Sequence, residues 1–421
     1  MWQKIKLIFT DPDLRKKIFF ILGILAVFRV GAAIPIPGVD HGRLEAFFSG
    51  NQFFGLLNIF SGGAMENLSI MMLGVGPYIT ASIIMQLLTM IFPRLKEMYQ
   101  EEGEAGRQKV NQYSRLATVP LAALQGFALM SLLKGQGVLG DLSFFDQVTN
   151  IIIITAGSIL LMWLGELMSE YGIGNGVSIL IFAGIIAGVP QSLGQTIFAS
   201  DIYQLPIILG FAVAAVLVVS AVVVITEGQR PVPISYARRI RGSRMYGGVS
   251  TYLPLKVNQA GVIPIIFALS ILLFPQMIVN FLAGANNPVV QTLAAAVLNF
   301  LNSPWVYAAL YFILVFLFTY FYTAVTFDPD AISSNLQKSG AFVPGIRPGK
   351  PTSEFLYKIL NRITLIGALF LGVIAVLPLA MRAITGLVTL TIGGTALLIV
   401  VSVVLETIKQ VEAQIVMRSY E

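Results

Sequence analysis

The sequence contains no cysteine and only one histidine, His41. It can form no disulfide framework, no thiolate metal site and no cluster needing two imidazoles, which excludes zinc hydrolase chemistry. Charge is scarce as well: 11% of the 421 residues are Asp, Glu, Lys or Arg, whereas 56% are hydrophobic. An average soluble domain is about a quarter charged. The imbalance marks an all-α protein embedded in lipid and excludes a soluble enzyme. Catalytic signatures are missing too. GIRPGKPT has Pro351 after Lys350, where a phosphate-binding loop needs Ser or Thr. His41 precedes any buried serine that a rhomboid-like pair would need, and paired intramembrane aspartates are lacking. No catalytic residue, metal or cofactor is expected.

What the sequence has in abundance is long apolar runs, near 18–34, 68–92, 114–133, 148–168, 177–198, 205–226, 258–283, 305–327, 363–381 and 387–408. A bilayer core takes about twenty apolar residues per helix, so these runs predict ten transmembrane helices. The first follows Lys4, Lys6, Arg15, Lys16 and Lys17 but continues into AAIPIPGVD and no cleavage site, which reads as a retained helix. Of the 27 Lys and Arg, 23 fall in segments 1–17, 93–115, 227–257, 328–362 and 409–421; the opposite connections hold only Arg43, Lys134 and Arg382. By the positive-inside rule both termini are cytoplasmic. The net charge of +6 then reflects orientation rather than a surface for nucleic acid.

Ten spans divide into 1–199 and 200–421, and an odd number per half makes the two halves inverted, as in many transporters. Between the first two runs, FFGLLNIF at 53–60 is apolar but too short to cross, and SGG at 61–63 interrupts it. It reads as a re-entrant half-helix lining a cavity or as an interfacial helix. Loops 227–257 and 328–362 exceed what a topological connection needs; the first alternates Arg with apolar residues around glycine and predicts a protruding hairpin. Such basic loops suit a protein or ribosomal partner, or anionic lipid. Embedded charge is nearly absent: Arg29, Glu166, Glu227 and Glu406 lie near run ends, where snorkelling or capping is expected over an ion relay. That disfavours the alternative reading, a polytopic secondary solute transporter.

The segments VFRVGAAIPIPGVD (27–40), NIFSGGAMENLSI (58–70), GPYITASIIMQLL (76–88), GIGNGVSILIFAGI (172–185), PLKVNQAGVIPIIFA (254–268), SGAFVPGIRPGKPT (339–352) and GGTALLIVV (393–401) resemble the bacterial SecY (translocon alpha-subunit) family over nearly the whole chain. The resemblance implies a protein-conducting channel of the bacterial cytoplasmic membrane. Its two inverted five-helix halves surround a central pore that opens across the membrane and sideways into lipid. A motor ATPase or the ribosome would drive it. It further implies SecE, SecG, SecA and the ribosome as partners, with possible ribosomal RNA contact, and signal peptides and nascent polypeptides as substrates.

By position, the family's pore ring maps to Val75, Ile79, Val177, Ile181, Val262, Ile266 and Ile399. The first six form i, i+4 pairs, each on one helical face, and all seven are aliphatic, as a dewetting constriction requires. Such pairs are also common in ordinary membrane helices. The resemblance makes 53–67 a plug, with Leu56, Leu57, Ile59, Phe60, Ser61, Gly62 and Gly63 as its named residues. Gln86, Asn258 and Thr118 map to the lateral gate, where they either latch to one another or bond locally. Arg347, with Arg238, Arg239 and Arg241, is the expected cytoplasmic docking set, suited to bidentate contact with acidic or phosphate groups.

Overall fold

The structure, a computed structural model, describes residues 11–37, 61, 63–65, 67–100, 102–135, 137–140, 143–199, 205–236, 239–241, 244–246, 250–283, 288–385 and 393–418. The helices are α1 (Pro12–Ala33), α2 (Gly76–Ile91), α3 (Pro93–Gln100), α4 (Gly103–Gly135), α5 (Phe144–Tyr171), α6 (Gly176–Ala199) and α7 (Leu205–Glu227). Strands β1 (Gln229–Tyr236), β2 (Arg239–Arg241), β3 (Arg244–Tyr246) and β4 (Ser250–Lys256) follow. Then come α8 (Ile263–Ala283), α9 (Pro288–Asn302), α10 (Pro304–Thr326), α11 (Pro329–Lys338), β5 (Ala341–Phe342), α12 (Lys350–Thr385) and α13 (Gly393–Arg418). Among the described residues each apolar run overlaps a helix, in part or in full, and α9 is an additional one between two runs. Among the described residues, α4, α5, the α10–α11 stretch and Lys350–Met381 are long and apolar enough to cross a membrane. The pair α2–α3, bent by 110°, is a fifth candidate.

Local chemistry sets the helix ends. Asp11 starts α1: its carboxylate accepts from the Asp13 and Leu14 amides, with Pro12 in the first turn. Ser143 and Asp146 close a capping box on α5. Pro93 forces Phe92 into extended backbone, φ −99° and ψ 114°, and so ends α2. Asp328 caps α11 by accepting from the Asp330 and Ala331 amides.

The chain divides into two compact units. One comprises Met1–Leu205, Leu269–Tyr307 and Val403–Glu421; the other comprises Pro206–Ala268 and Ala308–Ser402. In the first, α4 packs against α2 and α5, and α5 against α1 and α6. Its apolar cluster joins Ile36, Met65, Leu68 and Met72 to Leu129, Leu133 and Ile154. The apolar run that begins at 68 is not helical until Gly76. Instead its start pairs with the end of α1: Ile36 N donates to Leu68 O at 2.9 Å and Ile70 N to Ile34 O at 3.0 Å.

In the second unit the two long loops are one object. β1 pairs antiparallel with β4, from Gln229↔Lys256 to Ser235↔Ser250, which gives the expected hairpin. It also pairs with β5 from the other loop, through Ser235↔Phe342 and Tyr236↔Ala341. Beneath this sheet Val232, Leu255 and Val343 pack on Leu356, Ile359, Leu360 and Ile363 of α12.

Candidate functional site

The seven aliphatic residues divide between the units, with Val75, Ile79, Val177 and Ile181 in the first and Val262, Ile266 and Ile399 in the second. All but the half-buried Val177 are buried. Three share a local construction that hydropathy does not reveal. Val75 and Val262 each stand immediately before the first residue of a helix, and Val177 is the second residue of α6. Each follows a left-handed glycine by one to three residues: Gly74 (φ +58°), Gly174 (φ +89°) and Gly261 (φ +62°). An L-residue resists that backbone and glycine does not. The pairs then close as first-turn hydrogen bonds, Ile79 N to Val75 O at 3.0 Å and Ile266 N to Val262 O at 3.3 Å.

The turn before Val177 is pinned closely to α5. Ser169 Oγ accepts from the Gly176 amide at 2.8 Å and donates to Gly165 O at 3.0 Å, while Asn175 Oδ1 caps the Ser178 amide at 3.1 Å. A Cβ on Gly176 would overlap the Gly165 carbonyl, and one on Gly165 would lie 3.0 Å from Val177 Cγ2. Val177 therefore packs onto α5, and only glycines permit the approach. Glu166, expected to snorkel or cap, instead accepts from Arg115 Nε at 2.7 Å and joins α5 to α4. The sequence reading missed this because partners 51 residues apart leave no local signal.

The three expected gate polar residues each bond locally. Gln86 Nε2 donates to Ser82 Oγ at 3.4 Å, Thr118 Oγ1 to Ser114 O at 2.8 Å, and Asn258 Nδ2 to Gly261 O at 3.1 Å. Among the described residues, the buried oxygens Gln86 Oε1 and Asn258 Oδ1 have no hydrogen-bond partner. An orphaned buried acceptor costs roughly 1–3 kcal/mol, so both amides are poised to accept a bond.

Leu56, Leu57, Ile59, Phe60 and Gly62 lie outside the described residues. Ser61 is buried and its Oγ accepts from Met65 N at 3.1 Å; Gly63 follows with φ +81°, and Leu68 is left-handed at φ +42°. Arg29, also expected to snorkel or cap, donates through Nη2 to Ala183 O in α6 at 2.7 Å.

On the sheet-bearing unit, Arg347 is exposed at the tip of a loop held on both sides. Ile346 packs into the core below, Thr352 Oγ1 donates to Arg347 O at 2.8 Å, and Ser333 Oγ to Gly349 O at 2.7 Å. The loop backbone around Arg347 is thus fixed from both sides. Arg239 and Arg241 lie on β2, in register with Tyr246 and Arg244 of β3; Arg238 lies outside the described residues.

A family model for SecY matches residues 69–408. Protein translocase subunit SecY of Mycobacterium bovis is 44% identical, covering 97% of this chain and 96% of that protein. The corresponding subunit of Streptomyces galbus is 46% identical, covering 98% and 97%. Among solved structures, a protein-conducting channel aligns with a TM-score of 0.62 at 20% identity, covering 94% of this chain and 91% of that one. Sec61 from a canine ribosome–channel complex of the endoplasmic reticulum aligns at 0.60 and 21% identity with the same coverage. The fold, the nearly end-to-end identity and the family match agree: this chain belongs to the SecY family.

Proposed function

We propose that this chain is the channel subunit of a general protein-secretion translocase, passing unfolded polypeptides across a membrane and releasing hydrophobic segments sideways into lipid. The observation that carries this reading is the end-to-end similarity to translocase subunits. The aliphatic residues give it a chemistry. Side chains such as Val75, Ile79, Ile181, Val262, Ile266 and Ile399, buried and without polar atoms, suit a constriction that excludes ions by dewetting and yields to a threading chain. The seven-residue ring, the plug at 53–67 and the gate set of Gln86, Thr118 and Asn258 are carried here as parts of this proposal. The solute-carrier alternative has no support in the family match.

The channel is not an enzyme, so the work of translocation comes from partners. SecA or a ribosome docks on Arg347 together with Arg238, Arg239 and Arg241, SecE and SecG complete the complex, and the ten spans form inverted halves 1–199 and 200–421. The chain lies in the bacterial cytoplasmic membrane with both termini inside. Site-specific crosslinking of a stalled secretory chain tests the core of this reading. Photoreactive groups at positions 75, 79, 181 and 266 should capture the chain, while the exposed Trp163 and Leu217 positions should not. Equal capture at the exposed positions, or none at the four, overturns it.

A further inference from the structure

In the second unit a cavity of about 550 Å³ opens between the end of α10, the start of α11 and the first half of α12. That is the size of a small-molecule site. Buried Leu360 with half-buried Phe327 and Tyr320 form its apolar part, and Asp328, Asp330, Glu354 and Lys350 form its exposed rim. The charge there is sorted. Segment 328–362 contains three acidic and five basic residues; all three acids line the cavity, whereas Lys350 alone of the cations does. Asp328 Oδ1 is engaged by the first amides of α11 and Asp330 Oδ1 by the Ser353 hydroxyl, which leaves the second oxygen of each carboxylate open. Glu354 and Lys350 enter no ion pair among the described residues. Both α10 and α12 lie in stretches long and apolar enough to span a membrane. Toward mid-span the walls continue as exposed apolar side chains, Leu317 (55%) three residues before Tyr320 and Leu365 (44%) four after Asn361, spacings that keep each on the cavity's face of its helix.

We propose that this cavity binds one membrane phospholipid whose headgroup carries a free amine, of the ethanolamine class. The headgroup ammonium donates to the open carboxylate oxygens of Asp328, Asp330 and Glu354, Lys350 meets the phosphate, and an acyl chain runs down past Leu317 and Leu365. The charges choose among lipids. Basic pockets between helices hold anionic headgroups, and a rim of three carboxylates against one ammonium repels them. A choline headgroup has no N–H to donate, so Tyr320, Phe327 and Tyr357 offer it only attraction to their ring faces. The inference needs α10 and α12 to span the membrane and does not rest on the channel reading.

The test reconstitutes the full chain in vesicles of equal parts phosphatidylethanolamine, phosphatidylcholine and phosphatidylglycerol, and identifies the lipid retained on the purified protein by native mass spectrometry. Phosphatidylethanolamine should be enriched about tenfold over phosphatidylcholine, the factor that one charge-assisted hydrogen bond supplies. Glu354→Gln combined with Asp330→Asn should abolish that enrichment at unchanged abundance, because both side chains are exposed. A photoreactive group at position 361, on the cavity wall, should capture lipid. Equal retention of the ethanolamine and choline lipids by the wild-type chain overturns the inference without recourse to any variant, as does a preference for phosphatidylglycerol. Undiminished enrichment in the double variant places the lipid elsewhere and overturns it too. Capture of a polypeptide in place of lipid at position 361 gives the cavity a different occupant and overturns it as well.

Discussion

Leu255→Ala isolates the claim that the two long loops share one core. Leu255 is 0% exposed on β4, opposite Arg230 of β1, and packs with Val232, Val343 and the α12 residues Leu356, Ile359 and Leu360. Truncating a fully buried leucine costs about 2–5 kcal/mol, set by how far its surroundings collapse into the cavity. Each 1.4 kcal/mol is tenfold in an equilibrium constant, so even the lower figure raises the open population roughly 30-fold. Because the cluster spans both loops, the β1, β4 and β5 amides should exchange faster together, read by hydrogen exchange under conditions where opening is a fast pre-equilibrium. Tyr252, on the same strand but 66% exposed, supplies the control: Tyr252→Ala should stay within about 0.5 kcal/mol of wild type. If 229–256 accelerates while 341–343 does not, the loops are separately stable and the shared core is wrong. If neither changes, the burial argument fails outright.

Three further outcomes follow from the sites. Asparagine at Ile79, Ile181 or Ile266 should raise resting ion conductance in planar bilayers, and an unchanged leak in all three removes the ring assignment. Gln86→Leu deletes a buried orphan oxygen and loses only a 3.4 Å bond to Ser82, so it should stabilise the resting state by about 1 kcal/mol. Export of weakly hydrophobic signals should then fall roughly fivefold, and unchanged or improved export contradicts a gating role. Arg347→Glu reverses an exposed charge on a loop whose backbone stays fixed by Thr352, so motor or ribosome binding to reconstituted complexes should weaken at least about tenfold at unchanged abundance. Loss of abundance alone argues against docking.

Among the described residues every long apolar run met a helix, because such a run has few other folds open to it in lipid, while α9, between two runs, went unread. Hydropathy failed where an apolar segment is not helical. The run at 68–92 begins as a turn carrying left-handed Leu68 and Gly74, since its backbone groups find partners at Ile34 and Ile36 instead of within a helix. Those partners lie more than thirty residues away, and no periodicity encodes them. Loop 227–257 was readable as a hairpin from its own alternation, whereas its pairing with Ala341 and Phe342 was not, because two-residue strands leave no pattern. Arg29 and Glu166 misled for the same reason: nearness to a run end suggests snorkelling, and only tertiary structure shows the carbonyls of α6 or the guanidinium of Arg115 in reach.

The parts that are held firmly and the parts that are held loosely differ in the kind of contact they make. The α5–α6 seam locks through interpenetrating glycines and the Ser169 hydroxyl, so separating it would strand hydrogen-bonding groups that apolar surroundings cannot satisfy. The buried ring candidates carry only aliphatic surface, whose attraction has no direction, so a seal built from them can part around a chain and reclose with no polar side chain stranded. The gate amides sit between these limits. Their observed bonds are local and each retains an unpaired oxygen, so any interhelical bond they form is of the weak kind, about 0.6 kcal/mol on average. An apolar signal gains about 0.8 kcal/mol for every methylene it withdraws from water, so a few methylenes outweigh such a bond. On the proposed channel reading, hydrophobicity of the arriving segment outweighs the amide bonds at the gate, whereas the α5–α6 seam is held by contacts that cost more to break.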